Sequence, residues 1–165
     1  MHHLVESVRR SVREKNWYAA LSGALSLPDI AGKLDQRKGG SQKRFVKWFN
    51  VYLLPKYKHK VGMVGRPHVF LSGDDCYALR CAYLHEGDFD ITGQRARKIL
   101  ARFDFVVPSK GGRHRNHNET SQRLELQVNM FCEDVCIAVE NWLAARGSKP
   151  KVAAAIARMP TIDFS

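Results

Sequence analysis

The chain has no apolar run approaching the roughly 18 to 20 residues that a membrane-spanning helix needs, which argues against a helical anchor. Its opening, "MHHLVESVRRSVREK", lacks the apolar stretch of a secretory leader, so the protein is expected to stay in the cytoplasm. Acidic residues are scarce: 16 Asp and Glu stand against 27 Lys and Arg, a formal net charge of +11. Such an excess concentrates polyanions, and nucleic acid is the commonest one in that compartment. The few cysteines, Cys76, Cys81, Cys132 and Cys136, fall as two pairs inside apolar, helix-like segments. They read as buried free thiols, not as a disulfide framework or a zinc knuckle. A Walker loop, a dinucleotide-binding fingerprint and a Ser–His–Asp arrangement are missing, and the glycine pairs beginning at Gly39 and Gly111 sit in loops without the remaining residues of such motifs. No pattern calls for a cofactor or a metal.

What remains is a chain of 165 residues with 44% hydrophobic content, enough for one domain, residues 1–165, with a real core. Leu4, Val5, Val8 and Val12 recur at helical spacing within residues 3–13. A second helix is expected over residues 17–27, closed by Pro28, with Asp29 capping a short turn. Residues 35–44 read as an exposed basic loop. From Ser41, the stripe Phe45, Val46, Trp48, Phe49, Tyr52 and Leu53 predicts a helix that ends before Pro55. Residues 55–71 read as a long connection with "HVFL" as a short extended piece.

Ser72 and Asp75 form an acidic variant of the capping box, and Gly87 suits the position just past a helix end, predicting a helix over about 73–86. A basic helix is expected from Thr92, in "TGQRARKILARF". The segments "FDFVVP" and "RLELQV" are expected to pair as a small hairpin near residues 103–128. A clear amphipathic helix covers 128–145, and "KVAAAIARM" forms a last one. The fold class is therefore mainly α, a single-domain bundle of five to six helices with a small β-hairpin.

The helix over 73–86 holds the sequence's main chemical question, in the stretch "LRCAYLHEG". Between Cys76 and Leu84 every residue but Arg80 is apolar or aromatic, so Arg80 must be paired or face a charged ligand. One alternative is a salt bridge with Asp75, Asp134 or Glu133. His85 lies five positions on, about 500° of rotation on a straight α-helix, so the two side chains point about 140° apart. Long side chains at a fraying last turn, or a second copy of the helix across a twofold axis, would bring them together. The helix end and Glu86 favour a protonated imidazole, suiting His85 to titrate near neutrality. Arg80 offers a fixed cationic fork for phosphate.

An arginine, four residues and a histidine closing an apolar helix, "RCAYLH", resembles the HEPN superfamily, bundles of four to five helices that carry an arginine, four to six intervening residues, then a histidine. The resemblance implies a metal-independent ribonuclease acting as a homodimer, with Arg80 and His85 as the catalytic pair in a cleft shared by both copies. It also implies toxin–antitoxin or phage-defence settings, hence an antitoxin or defence-system partner. Cys81 follows Arg80 where active members frequently carry Asn, Asp or His. The other reading is thus a catalytically inactive module that binds RNA, a nucleotide or a protein. Lys110, Arg113, His114, Arg115 and His117 gather around two glycines as a cationic segment suited to RNA phosphates. His114 and His117 have no acidic or thiol partner nearby in sequence and are not read as metal ligands. Tyr57 and Trp48 offer stacking surfaces beside further basic patches, with Trp48 expected in the core.

Overall fold

The structure, a computed structural model, describes residues 1–36, 38–61, 65–107, 115–118 and 122–162, with Val61 and residues 115–118 described by their backbone alone. It is mainly helical, with six α-helices. Helices α1 (His2–Arg13), α2 (Trp17–Asp35) and α3 (Ser41–Tyr52) come first, followed by a single 3₁₀ turn over Leu54–Lys56. Strands β1 (Lys58–Val61) and β2 (Arg66–Val69) then form an antiparallel hairpin in which His59 faces His68. Helix α4 (Gly73–Cys81) follows, and further on come β3 (Arg102–Val106), β4 (Arg115–Asn118), β5 (Arg123–Gln127), α5 (Val128–Arg146) and α6 (Pro150–Ile156).

The apolar stripes make the helices and bury them. Val5 and Val8 of α1, Phe45, Trp48 and Phe49 of α3, and Phe131, Cys132, Val135, Val139 and Trp142 of α5 all lie in the core. Helix α2 sits among α1, α3, α5 and α6. It does not stop at Pro28 as the sequence suggested. A proline inside a helix costs about 3 kcal/mol, because it removes one ladder hydrogen bond and crowds the carbonyl four residues back. The residues beyond Pro28 supply the reason: Ala31 is fully buried, and Ile30 and Leu34 pack against the core. Full burial of an Ile or Leu side chain contributes about 1.5–3 kcal/mol, so the two partly buried ones offset much of the proline term. Asp29 is accordingly mid-helix and caps nothing. The approach of α3 also depends on α2: a Cβ at Gly32 would stand 2.9 Å from the Arg44 carbonyl oxygen.

Three further expectations change. The 55–71 connection carries the β1–β2 hairpin, extended by Phe70 N–H donating to the Tyr57 carbonyl at 2.8 Å. "FDFVVP" and "RLELQV" do pair, yet as parallel strands: β3 runs alongside β5 from Arg102↔Arg123 to Val106↔Gln127, and β4 pairs antiparallel on the other side of β5. The intervening strand accounts for this: the chain runs along β3, back along β4 and forward again along β5, so β3 and β5 share a direction. The basic helix expected from Thr92 does not form. Ile91 and Leu100 alone are buried across 91–100, so no apolar stripe pulls that segment onto the core. Its backbone donors go elsewhere, with Lys98 and Ile99 N–H both donating to the buried Asp75 carboxylate at 2.6 and 3.2 Å. Among the described residues no helix is long and apolar enough to cross a membrane.

Candidate functional site

The helix carrying Arg80 begins and ends as its sequence dictates. Ser72 Oγ accepts from Asp75 N–H at 3.0 Å, and the Ser72 hydroxyl donates to Asp75 Oδ2 at 2.7 Å. At the other end Gly87 adopts a left-handed conformation, φ +70°, a backbone state that glycine enters without a Cβ penalty. Its N–H donates to the Tyr83 carbonyl and Asp88 N–H to that of Ala82, at 3.2 and 3.3 Å. Between these ends the helix changes type: α4 stops at Cys81, and Ala82–Glu86 forms a π-turn.

That turn settles where Arg80 and His85 point. Hydrogen bonds in a π-turn span five residues instead of four, so each residue turns through less than in an α-helix and His85, within the turn, swings back toward Arg80, which stands just before it. Arg80 Nη1 lies 3.4 Å from His85 Nε2 within one copy of the chain. No fraying and no second copy is needed to bring the two together. A guanidinium only donates, so this contact is a hydrogen bond when Nε2 bears no proton and presents its lone pair. His85 is exposed, whereas the Arg80 side chain is 19% exposed.

Asp29 holds the arginine. Its Oδ2 accepts from Arg80 Nη2 at 3.0 Å, and its Oδ1 accepts from the Ser41 hydroxyl at 2.8 Å. One carboxylate of α2 thus ties the first residue of α3 to the end of α4. The partners that the sequence suggested for Arg80 are engaged differently. Asp75 takes backbone N–H groups of 98–99, Asp134 accepts from the Tyr57 hydroxyl at 3.1 Å, and Glu133 is bound by Arg9 at 2.8 Å. Arg80 Nε is buried and has no hydrogen-bond partner among the described residues.

Aromatic packing supports the π-turn from behind. Tyr83 stacks on Phe89 with ring centroids 5.3 Å apart, Phe89 meets Phe105 of β3 at 5.3 Å, and Phe105 meets Phe131 of α5 at 5.6 Å. The Tyr83 hydroxyl donates to the Tyr18 carbonyl at 3.3 Å. Tyr18, Ser22, Ser26 and Asp29 share one face of α2, so this helix runs beside the turn from Tyr83 to Arg80.

The remaining candidates divide. Lys110, Arg113 and His114 lie outside the described residues. Arg115 and His117 belong to β4, opposite Leu126 and Leu124 of β5. Tyr57 is 1% exposed and Trp48 3%, so both are core residues and neither is a stacking surface. Cys76, Cys132 and Cys136 are buried free thiols, and burial pushes the last two up to about 12. Those thiols stay protonated and unreactive near neutrality. Sequence reasoning overlooked Asp29 and the π-turn. Nothing local marks either: Asp29 is 51 residues from Arg80, and the turn leaves no spacing signature. No family model, curated protein or solved structure matches this chain.

Proposed function

We propose that this protein is a metal-independent endoribonuclease of HEPN type that cleaves RNA by attack of the 2′-hydroxyl. The observation that carries the reading is the pairing of Arg80 Nη1 with His85 Nε2 at 3.4 Å, an exposed imidazole beside a guanidinium that Asp29 anchors. Nε2 gives up its contact with Arg80 Nη1 to take the 2′-hydroxyl proton, and the freed oxygen attacks the adjacent phosphorus. The bond to the 5′-oxygen breaks, and His85 returns the proton to that leaving oxygen. Arg80 offsets the charge that builds on the phosphoryl oxygens. The products are a 2′,3′-cyclic phosphate, which water opens to a 3′-phosphate, and a 5′-hydroxyl.

In this reading Lys110, Arg113, His114, Arg115 and His117 contact the RNA backbone, a homodimer joins two sites, and the setting is phage defence or a toxin–antitoxin pair. Incubation of labelled RNA in EDTA, followed by mapping of the ends, tests it. Cleavage leaving cyclic phosphate should fall by about 10²–10⁴ in His85→Ala, the usual contribution of a positioned acid–base group. Undiminished cleavage by that variant would remove His85 from the reaction.

The Arg80–Asp29 ion pair at 3.0 Å favours a second reading, a non-catalytic module that binds RNA, a nucleotide or a protein and uses Arg80 to join helices. It predicts salt-sensitive RNA binding with no cleavage by the wild type.

A further inference from the structure

A groove of about 1330 Å³ runs between α1, α2 and the segment after α6. Its floor is apolar, built from Leu4 of α1, Ile30 and Leu34 of α2, and Ala155, Met159 and Ile162 at the C-terminal end. The chain's amino group lies 3.8 Å from Met159 Sδ, which joins the start of α1 to that segment. Ile162 is 80% exposed, an apolar side chain in water beside an apolar groove.

The rim is cationic. Arg10, Lys33 and Arg158 stand on three separate elements, all exposed, and none of their side chains makes a hydrogen bond or ion pair among the described residues. The one acid among the described lining residues, Glu6, is already taken by Arg13 at 2.6 Å. Unpaired charge of one sign around an apolar floor that no other described residue covers specifies a complementary occupant, apolar on one face and anionic on the other.

Size and charge choose among occupants. The groove exceeds the roughly 300–1,000 Å³ typical of small-ligand pockets, and three cations around it match several carboxylates better than one. A second copy docking through the same surface would set Arg10, Lys33 and Arg158 against their own equivalents, like charge on like. We propose that the groove binds an acidic amphipathic helix of a partner protein. Its apolar residues at i, i+3, i+4 and i+7 lie on Leu4, Ile30, Leu34 and Met159, and its Asp or Glu side chains reach Arg10, Lys33 and Arg158. The groove lining includes neither Arg80 nor His85, so this inference stands apart from the ribonuclease reading.

The test uses the full chain and fluorescein-labelled helical peptides about 15 residues long, a length at which a good helix former begins to hold its shape. One panel carries a leucine stripe with a glutamate face, a second has the same composition with the stripe scrambled, and a third replaces the glutamates by lysine. Fluorescence anisotropy should show binding of the first panel alone, weakened at least about tenfold by the double variant Arg10→Glu/Arg158→Glu. Thermal melting of that variant should stay within a few degrees of the wild type, since neither side chain holds a hydrogen bond or ion pair and Arg10 acts only on the α1 dipole and on Glu6 one turn away. Amide resonance changes on peptide addition should fall on Leu4, Ser7, Ile30 and Leu34. Equal binding of the scrambled or lysine peptides overturns the proposal. So does an absence of binding up to about 1 mM, or binding of sodium oleate at these residues where no acidic peptide binds.

Discussion

Replacing Asp29 by alanine tests the junction on which the candidate site is built. The change removes the acceptor of Arg80 Nη2 at 3.0 Å and of the Ser41 hydroxyl at 2.8 Å, and leaves a guanidinium whose Nε already lacks a partner. A hydrogen bond to a charged group contributes about 1.5–3 kcal/mol and a neutral-donor bond about 0.5–1.5 kcal/mol. Breaking a fully buried ion pair costs about 3–5 kcal/mol, but with 19% and 23% of the two side chains exposed, water recovers part of that. The expected loss is therefore about 2–3 kcal/mol, a fall in Tm of about 4–12 °C for a domain of this size.

Urea unfolding of the wild type, Asp29→Ala, Arg80→Met and the double variant isolates the pair. Arg80→Met keeps most of the alkyl packing, so the coupling energy reports the charged bond and should be about 1–2 kcal/mol. Additivity within about 0.3 kcal/mol would refute the assignment of Asp29 as the anchor of Arg80.

Gly32→Ala should destabilise by about 1–3 kcal/mol, because its Cβ would stand 2.9 Å from the Arg44 carbonyl oxygen on a neighbouring backbone; a melt within error of the wild type would mean that α2 and α3 separate freely. The Arg9 guanidinium holds the Glu140 carboxyl below the usual carboxylate range. A depressed folded value contributes stability that is fully present above about pH 4.5 and is lost as pH falls through the lower folded value. Glu140→Gln should flatten the acid side of a urea-midpoint profile below about pH 4.5 and leave its neutral slope unchanged. A thiol reagent at pH 7 should leave Cys76, Cys132 and Cys136 unmodified in the native protein and titrate all four cysteines in denaturant; rapid native reaction at the three buried positions would contradict their place in the core.

Much of the helical frame is legible along the chain because its causes are local. Ser72 and Asp75 satisfy each other across one turn, Gly87 supplies the left-handed residue that ends the segment, and the stripes of α3 and α5 repeat at helical period. The apolar surroundings of Arg80 show, without any coordinates, that this arginine needs a partner. Which partner it takes is a different kind of fact. Asp29 reaches it from a helix that continues through Pro28 because Ala31 is buried and Ile30 and Leu34 pack against the core beyond the proline. The shared direction of β3 and β5 follows from β4 turning back between them, and the end of Thr92–Leu100 is held out of a helix as Asp75 captures the amides of Lys98 and Ile99. Spacing on a straight helix set Arg80 and His85 about 140° apart, and a π-turn joins them. Local rules fix where helices start, stop and turn their apolar faces. Tertiary structure decided the rest, since a carboxylate 51 residues away and a change in helix type depend on packing that no stretch of sequence carries alone.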